Sequence, residues 1–120
     1  MYMIVFILDN FEKLRDLLDA WEEAGVFGAT ILHSSGLGRV RQDGLRDDLP
    51  LMPSLADLFE HEEYYSRTIF SIVESEEIVE RVIAATQRVV GDLMKPGAGL
   101  LAVLPVAKVY GLRQYQPGKK

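Results

Sequence analysis

Two Gly-x-Gly pairs are the places where this backbone could meet a ligand. Gly36-Leu37-Gly38 runs directly into Arg39, and Gly97-Ala98-Gly99 follows Pro96. Glycine at a turn bares the neighbouring N–H groups, so an oxyanion such as phosphate can approach closely. The same residues also serve plain turns that need a positive φ. Arg39 and Arg113 carry guanidinium groups suited to bidentate phosphate contact, or else lie solvated at the surface. Asp57 and His61 stand at i, i+4, which would put two metal-ligand types on one helical face. No third ligand closes that set, and a solvated acidic helix accounts for it. His33 alternates with apolar neighbours and reads as a hydrogen-bonding residue within a sheet or at a subunit edge. Ser34, Ser35 and Ser66 belong to no nucleophile motif. Glu74, Glu76 and Glu77 gather where a helix N-terminus favours anions. These residues point to binding rather than catalysis.

The elements that must position them follow from hydrophobic period and capping. Tyr2 to Leu8 is short, β-branched and aromatic, and it ends at Asp9-Asn10, as a strand buried on both faces would. Asn10 suits an N-cap. Phe11, Leu14, Leu18 and Trp21 then form one helical stripe, widened by Leu17 and Ala24 and stopped at Gly25. Ala29 to Ser34 reads as a second strand and Thr68 to Val73 as a third. Ser75 caps the clearest helix in the chain, whose stripe runs from Ile78 through Val82, Thr86 and Val89 to Leu93. Pro96 to Gly99 is a turn, Leu100 to Leu104 a fourth strand, Val106 to Leu112 a short continuation, and residues 114–120 a loose tail.

Between the second and third strands the pattern fails. Gly36 to Ser66 mixes glycine, proline and charge with no sustained period, apart from a short helix expected over Ser54 to Tyr64. A connection this long inside a compact domain is usually functional. Leu55, Leu58 and Phe59 are apolar in a polar stretch and suit docking, either onto the chain's own oligomer or onto a partner.

The 120 residues make one domain, with enough surface buried on folding for one core. A net charge of −5 argues against non-specific nucleic-acid binding and against docking on an anionic membrane through overall charge. The absence of cysteine excludes disulfides and thiol chemistry and fits a reducing cytoplasm. No stretch looks like a leader or a bilayer span. The order β-α-β-loop-β-α-β favours an α+β ferredoxin-like βαββαβ plait, a four-stranded antiparallel sheet with two helices on one face. Two helices cover only one sheet face, yet the first and fourth strands are apolar almost throughout. A homo-oligomer is therefore expected, with copies of the chain closing the other face.

The segments together resemble the PII family of signalling proteins, across nearly the whole chain except the long loop. Gly28-Ala29-Thr30 leading to Gly36-Leu37-Gly38-Arg39 is similar to that family's strand into the base of its T-loop. Val79-Glu80-Arg81-Val82-Ile83 is similar to its second helix. Pro96-Gly97-Ala98-Gly99 stands at its B-loop, and Val106 to Arg113 at its last strand and C-loop. The resemblance implies a homotrimer that binds an adenine nucleotide in clefts between subunits. It implies contacts from Thr30, Gly36, Gly38, Arg39, Gly97, Gly99 and Arg113. Residues 39–66 would then form the segment that engages a target protein, a transporter or an enzyme, through Leu55, Leu58 and Phe59.

Three positions depart from that pattern. Leu100 stands where typical members are basic, Val40 where they use glutamine with magnesium and 2-oxoglutarate, and Gly111 replaces one of two arginines. A less charged nucleotide or another effector is expected in consequence. The alternative is a divalent-cation-binding trimer of the cation-tolerance type, with His33 or His61 as ligands. A small plait enzyme using the bare sheet face as a pocket is a third possibility, with His33 its only plausible acid–base group.

Overall fold

The apolar run Tyr2–Leu8 forms strand β1, and alternation along it decides which sheet face is packed. Ile4, Phe6 and Leu8 are fully buried, while Met3, Val5 and Ile7 on the opposite face are only partly covered. The strand is thus buried on one face within the protomer, not on both. The computed structural model describes residues 1–36 and 64–112.

Asn10 caps as its type suggests, but its side chain, accepting from the Glu12 N–H at 3.1 Å, closes a single 3-10 turn, Phe11–Lys13. Helix α1 starts only at Leu14 and ends at Ala24, where Gly25 turns out with φ of +112°. The shift takes Phe11 out of helical phase. It is 57% exposed rather than in the core, and the Arg67 guanidinium lies over its ring, 5.5 Å from the centroid. Leu17 and Trp21 are buried as the stripe requires.

Strand β2 spans Thr30–Gly36 and β3 spans Tyr64–Val73. Both reach further into the irregular stretch than apolar periodicity indicates. Their outer ends are polar, and hydroxyls serve there instead. The Ser34 hydroxyl pairs with Ser66 at 2.7 Å and with Thr68 at 2.9 Å, linking the two strands across the open face. Tyr64 opens β3, so it does not end a helix; the rest of the expected helix, from Ser54, lies outside the described residues.

Helix α2, Glu76–Val90, begins where Ser75 Oγ accepts from the Ile78 N–H at 3.3 Å. Ser75→Ala should lower stability by about 1 kcal/mol, readable as an earlier urea midpoint with unchanged slope. Glu76 accepts a hydrogen bond from the Tyr2 hydroxyl at 3.0 Å, and that bond holds the phenol pKa above its ordinary value. Strand β4 covers Leu100–Pro105. The chain after it is not a strand. Val106 donates to the Met1 carbonyl, and the following residues to Leu112 pair with no strand of the sheet described.

The strands form one antiparallel sheet in the order β2-β3-β1-β4. Together with α1 and α2 this is the ferredoxin-like α+β plait. The helices pack on the face carrying Ile4, Phe6, Leu8, Ile69 and Val73, with Trp21 and Val82 between. The other face is apolar and uncovered within the protomer. Leu32, Leu100 and Leu104 are 49%, 63% and 45% exposed, and the cross-strand register puts them on the same face as Met3, Val5 and Ile7. No helix among the described residues is long and apolar enough to cross a membrane.

Candidate functional site

Backbone geometry separates the glycines that sequence groups together. Gly97 has φ of +88° with open space where a Cβ would stand, and it is exposed. Gly99 also has a positive φ, +107°, but a Cβ there would meet the Ile7 carbonyl oxygen at 2.5 Å and the Phe6 ring at 2.7 Å. Contact with β1 alone therefore requires glycine at 99. Gly36, the last residue of β2, faces Tyr64 across the ladder and has nothing near its Cβ position.

Thr30 opens β2 opposite Phe70 and is exposed. By register its side chain belongs to the open face, in one row with Val5 and Ala102. Leu100, the first residue of β4, pairs with Ile7 and is 63% exposed, so an apolar side chain projects beside the Gly97–Gly99 turn. Gly38, Arg39 and Arg113 lie outside the described residues, as do Leu55, Leu58 and Phe59 of the long segment.

Topology then decides what these residues can do together. Thr30 and Gly36 are on β2, one edge of the sheet; Gly97 and Gly99 precede β4, the other edge. Three inter-strand spacings separate the edges, about 14 Å at ordinary strand spacing. One protomer cannot close both groups on a single phosphate. A second protomer bringing its β4 edge alongside this β2 edge could.

Two features, a hydroxyl cluster and a groove, were not found by pattern in the sequence, whereas His33 was. The Ser34–Ser66–Thr68 hydroxyl cluster stands at the root of the long segment, with Ser66 only 3% exposed. Its signal is faint because serine and threonine carry no periodicity of their own. His33 is exposed on the edge strand, and its direct cross-strand partner is Arg67. A groove of about 960 Å³ also opens between the end of α1 and the start of β2, with Phe27 and Ile31 exposed along it and Asp19, Glu22 and Glu23 on its wall. The acids are spaced to share a helix face, but the apolar residues come from the turn and the next strand. Among the described residues no group of three His, Asp or Glu side chains could hold a metal ion, and His61 lies outside them.

Residues 1–116 match the family model described as nitrogen regulatory protein P-II. No curated protein matches the chain.

Proposed function

We propose that this chain, which belongs to the nitrogen regulatory protein P-II family, is a regulatory signal-transduction protein whose effector site is shared between subunits. The observation that carries this reading is the placement of Thr30 and Gly36 on one sheet edge and of Gly97 on the other. Two half-sites on opposite edges suit a ring in which each β2 edge faces the next copy's β4 edge. The uncovered apolar face supports the same assembly, because closing it removes exposed leucine from water. A homotrimer is the ring the family implies.

An adenine nucleotide is the effector this site fits best. The Gly97 turn would offer accessible backbone N–H groups to a phosphate, Thr30 would sit near the base, and Arg39 and Arg113 would supply positive charge. Leu100 places no cation beside the turn, which favours a nucleotide with few phosphates. Gly99 would hold the turn against β1 rather than touch the ligand. The chain between β2 and β3 would read out occupancy. Effector contacts at Gly38 and Arg39 would bias its conformation, and Leu55, Leu58 and Phe59 would engage a target protein.

A thermal-shift panel with ATP, ADP, AMP, cyclic AMP and 2-oxoglutarate, with and without magnesium, tests this. At a hundred times its dissociation constant one nucleotide should stabilise by about 2.7 kcal/mol, a shift of several degrees. Thr30→Val and Arg39→Ala should abolish the shift with little change in the unliganded melting temperature. Flat curves across the nucleotides would overturn the effector assignment. A shift only with copper, zinc or nickel would replace it with the cation-binding alternative.

A further inference from the structure

We infer that the groove between α1 and β2 docks a segment of a target protein that carries two or more basic side chains beside an apolar anchor. The inference rests on the regulatory reading above, since a regulator must engage a target, and it holds whichever effector binds.

The end of α1 is built against its own stability. Glu22 and Glu23 stand in its last turn, which holds no basic residue, so two carboxylates meet the negative end of the helix dipole. Asp19 adds like-charge pairs, at i, i+3 with Glu22 and at i, i+4 with Glu23. None of the three forms an ion pair among the described residues, whose one salt bridge joins Arg81 to Glu77 on α2. Lysine at 22 or 23 would serve the helix better. The acids break a local rule without a gain inside the protomer, as residues that serve a partner do.

The groove beside them defines the partner's chemistry. None of its lining residues is basic. Its carboxylates do not converge, because among the described residues no three acids or histidines could hold a metal ion. Spread along one wall, they match separate cationic side chains on one segment rather than a single cation. Phe27 and Ile31, 58% and 38% exposed, supply the apolar surface against which an anchor would lose its water inside that charged rim. Ile31 pairs with the buried Ile69, so the groove opens on the helix side of the sheet, away from the apolar face that assembly would close. A net charge of −5 disfavours nucleic acid as the occupant.

Fluorescence anisotropy on the full chain tests this with short labelled peptides of one pattern: leucine with lysine, leucine with glutamate, and serine with lysine. The leucine–lysine peptide should bind and the leucine–glutamate peptide should not, while serine in place of leucine should weaken binding by about fivefold or more. Glu22→Lys with Glu23→Lys should weaken the leucine–lysine peptide by about tenfold or more. That variant should melt no lower than wild type, because lysine suits a helix C-terminus. Phe27→Ser should weaken the same peptide by about fivefold. Glu77→Lys with Glu80→Lys makes an equal change of net charge on exposed positions of α2 and should leave binding near wild type. Absence of binding would overturn the inference. So would a Phe27→Ser variant that binds normally, or a reversal on α2 as damaging as the one on α1, either of which means general attraction to an acidic protein. Self-association lost in the α1 variant by sedimentation, without any peptide binding, would assign the groove to a second copy and overturn it as well. A nucleotide-induced thermal shift that persists through any of these failures leaves the effector assignment standing, and flat nucleotide curves beside groove-dependent peptide binding would do the reverse.

Discussion

Gly99→Ala is expected to cost about 3 kcal/mol of stability, lowering the melting temperature by roughly 10 °C with no ligand present. Two effects add. Alanine at φ of +107° is strained by about 1–2 kcal/mol. Its methyl group would also overlap the Ile7 carbonyl oxygen, backbone of the central strand, and neither β1 nor the Phe6 ring has room to retreat in the packed core. Gly97→Ala meets only the first effect, because nothing stands near its Cβ position. Urea midpoints of the two variants should therefore differ clearly, and equal losses would show that the Gly99 contact is not what holds the turn. The comparison also decides how nucleotide experiments are read. Loss of binding in a Gly99 variant reports a displaced turn, whereas loss in a folded Gly97 variant reports the ligand contact itself.

Trp21→Ala should be still more damaging, about 3–5 kcal/mol, because the indole is 1% exposed at the centre of the helix-to-sheet core. Part of the loss belongs to one hydrogen bond. Trp21 Nε1 donates to Thr86 Oγ1 at 2.9 Å, while the threonine hydroxyl donates to the Val82 carbonyl at 2.7 Å. This short relay joins the two helices, 65 positions apart in the chain, and leaves no buried side-chain polar atom unpaired among the described residues. Thr86→Val keeps the volume but orphans the indole N–H, which should cost about 1–3 kcal/mol. Trp21→Phe removes the donor, so adding Thr86→Val to it should cost markedly less than the threonine change alone. Equal costs in both backgrounds would mean that the hydrogen bond contributes nothing beyond packing.

Much of the plait was legible because its signals are local and redundant. The apolar run of β1 and the α2 stripe behind Ser75 each announce an element within a few residues. Phe11 shows where such signals mislead. It has the spacing of a core residue, but one 3-10 turn rotates it out under Arg67. The ends of β2 and β3 were illegible for the opposite reason. Ser34, Ser66 and Thr68 satisfy one another, and a pairing between hydroxyls 32 and 34 positions apart leaves no trace in either segment alone. Gly99 shows the limit for the candidate site. A glycine that lets phosphate approach and a glycine that lets a neighbouring strand approach look alike in sequence, and the Ile7 contact shows the second of these roles at Gly99. The residues that resemble a nucleotide site were visible; that Thr30 and Gly36 stand on one edge of the sheet and Gly97 and Gly99 lead into the other follows from strand order, which no single motif encodes.

The central position of β1 has a consequence for biosynthesis. Tyr2–Leu8 is made before the other three strands described, and its two hydrogen-bonding neighbours, β3 and β4, begin only at Tyr64 and Leu100. At ordinary elongation rates of about 5–20 residues per second, several seconds pass before the first of them is made. Throughout that interval the most apolar strand of the nascent chain has neither ladder partner nor sheet. Co-translational chaperone capture should concentrate on these first residues, and release should await synthesis of β3.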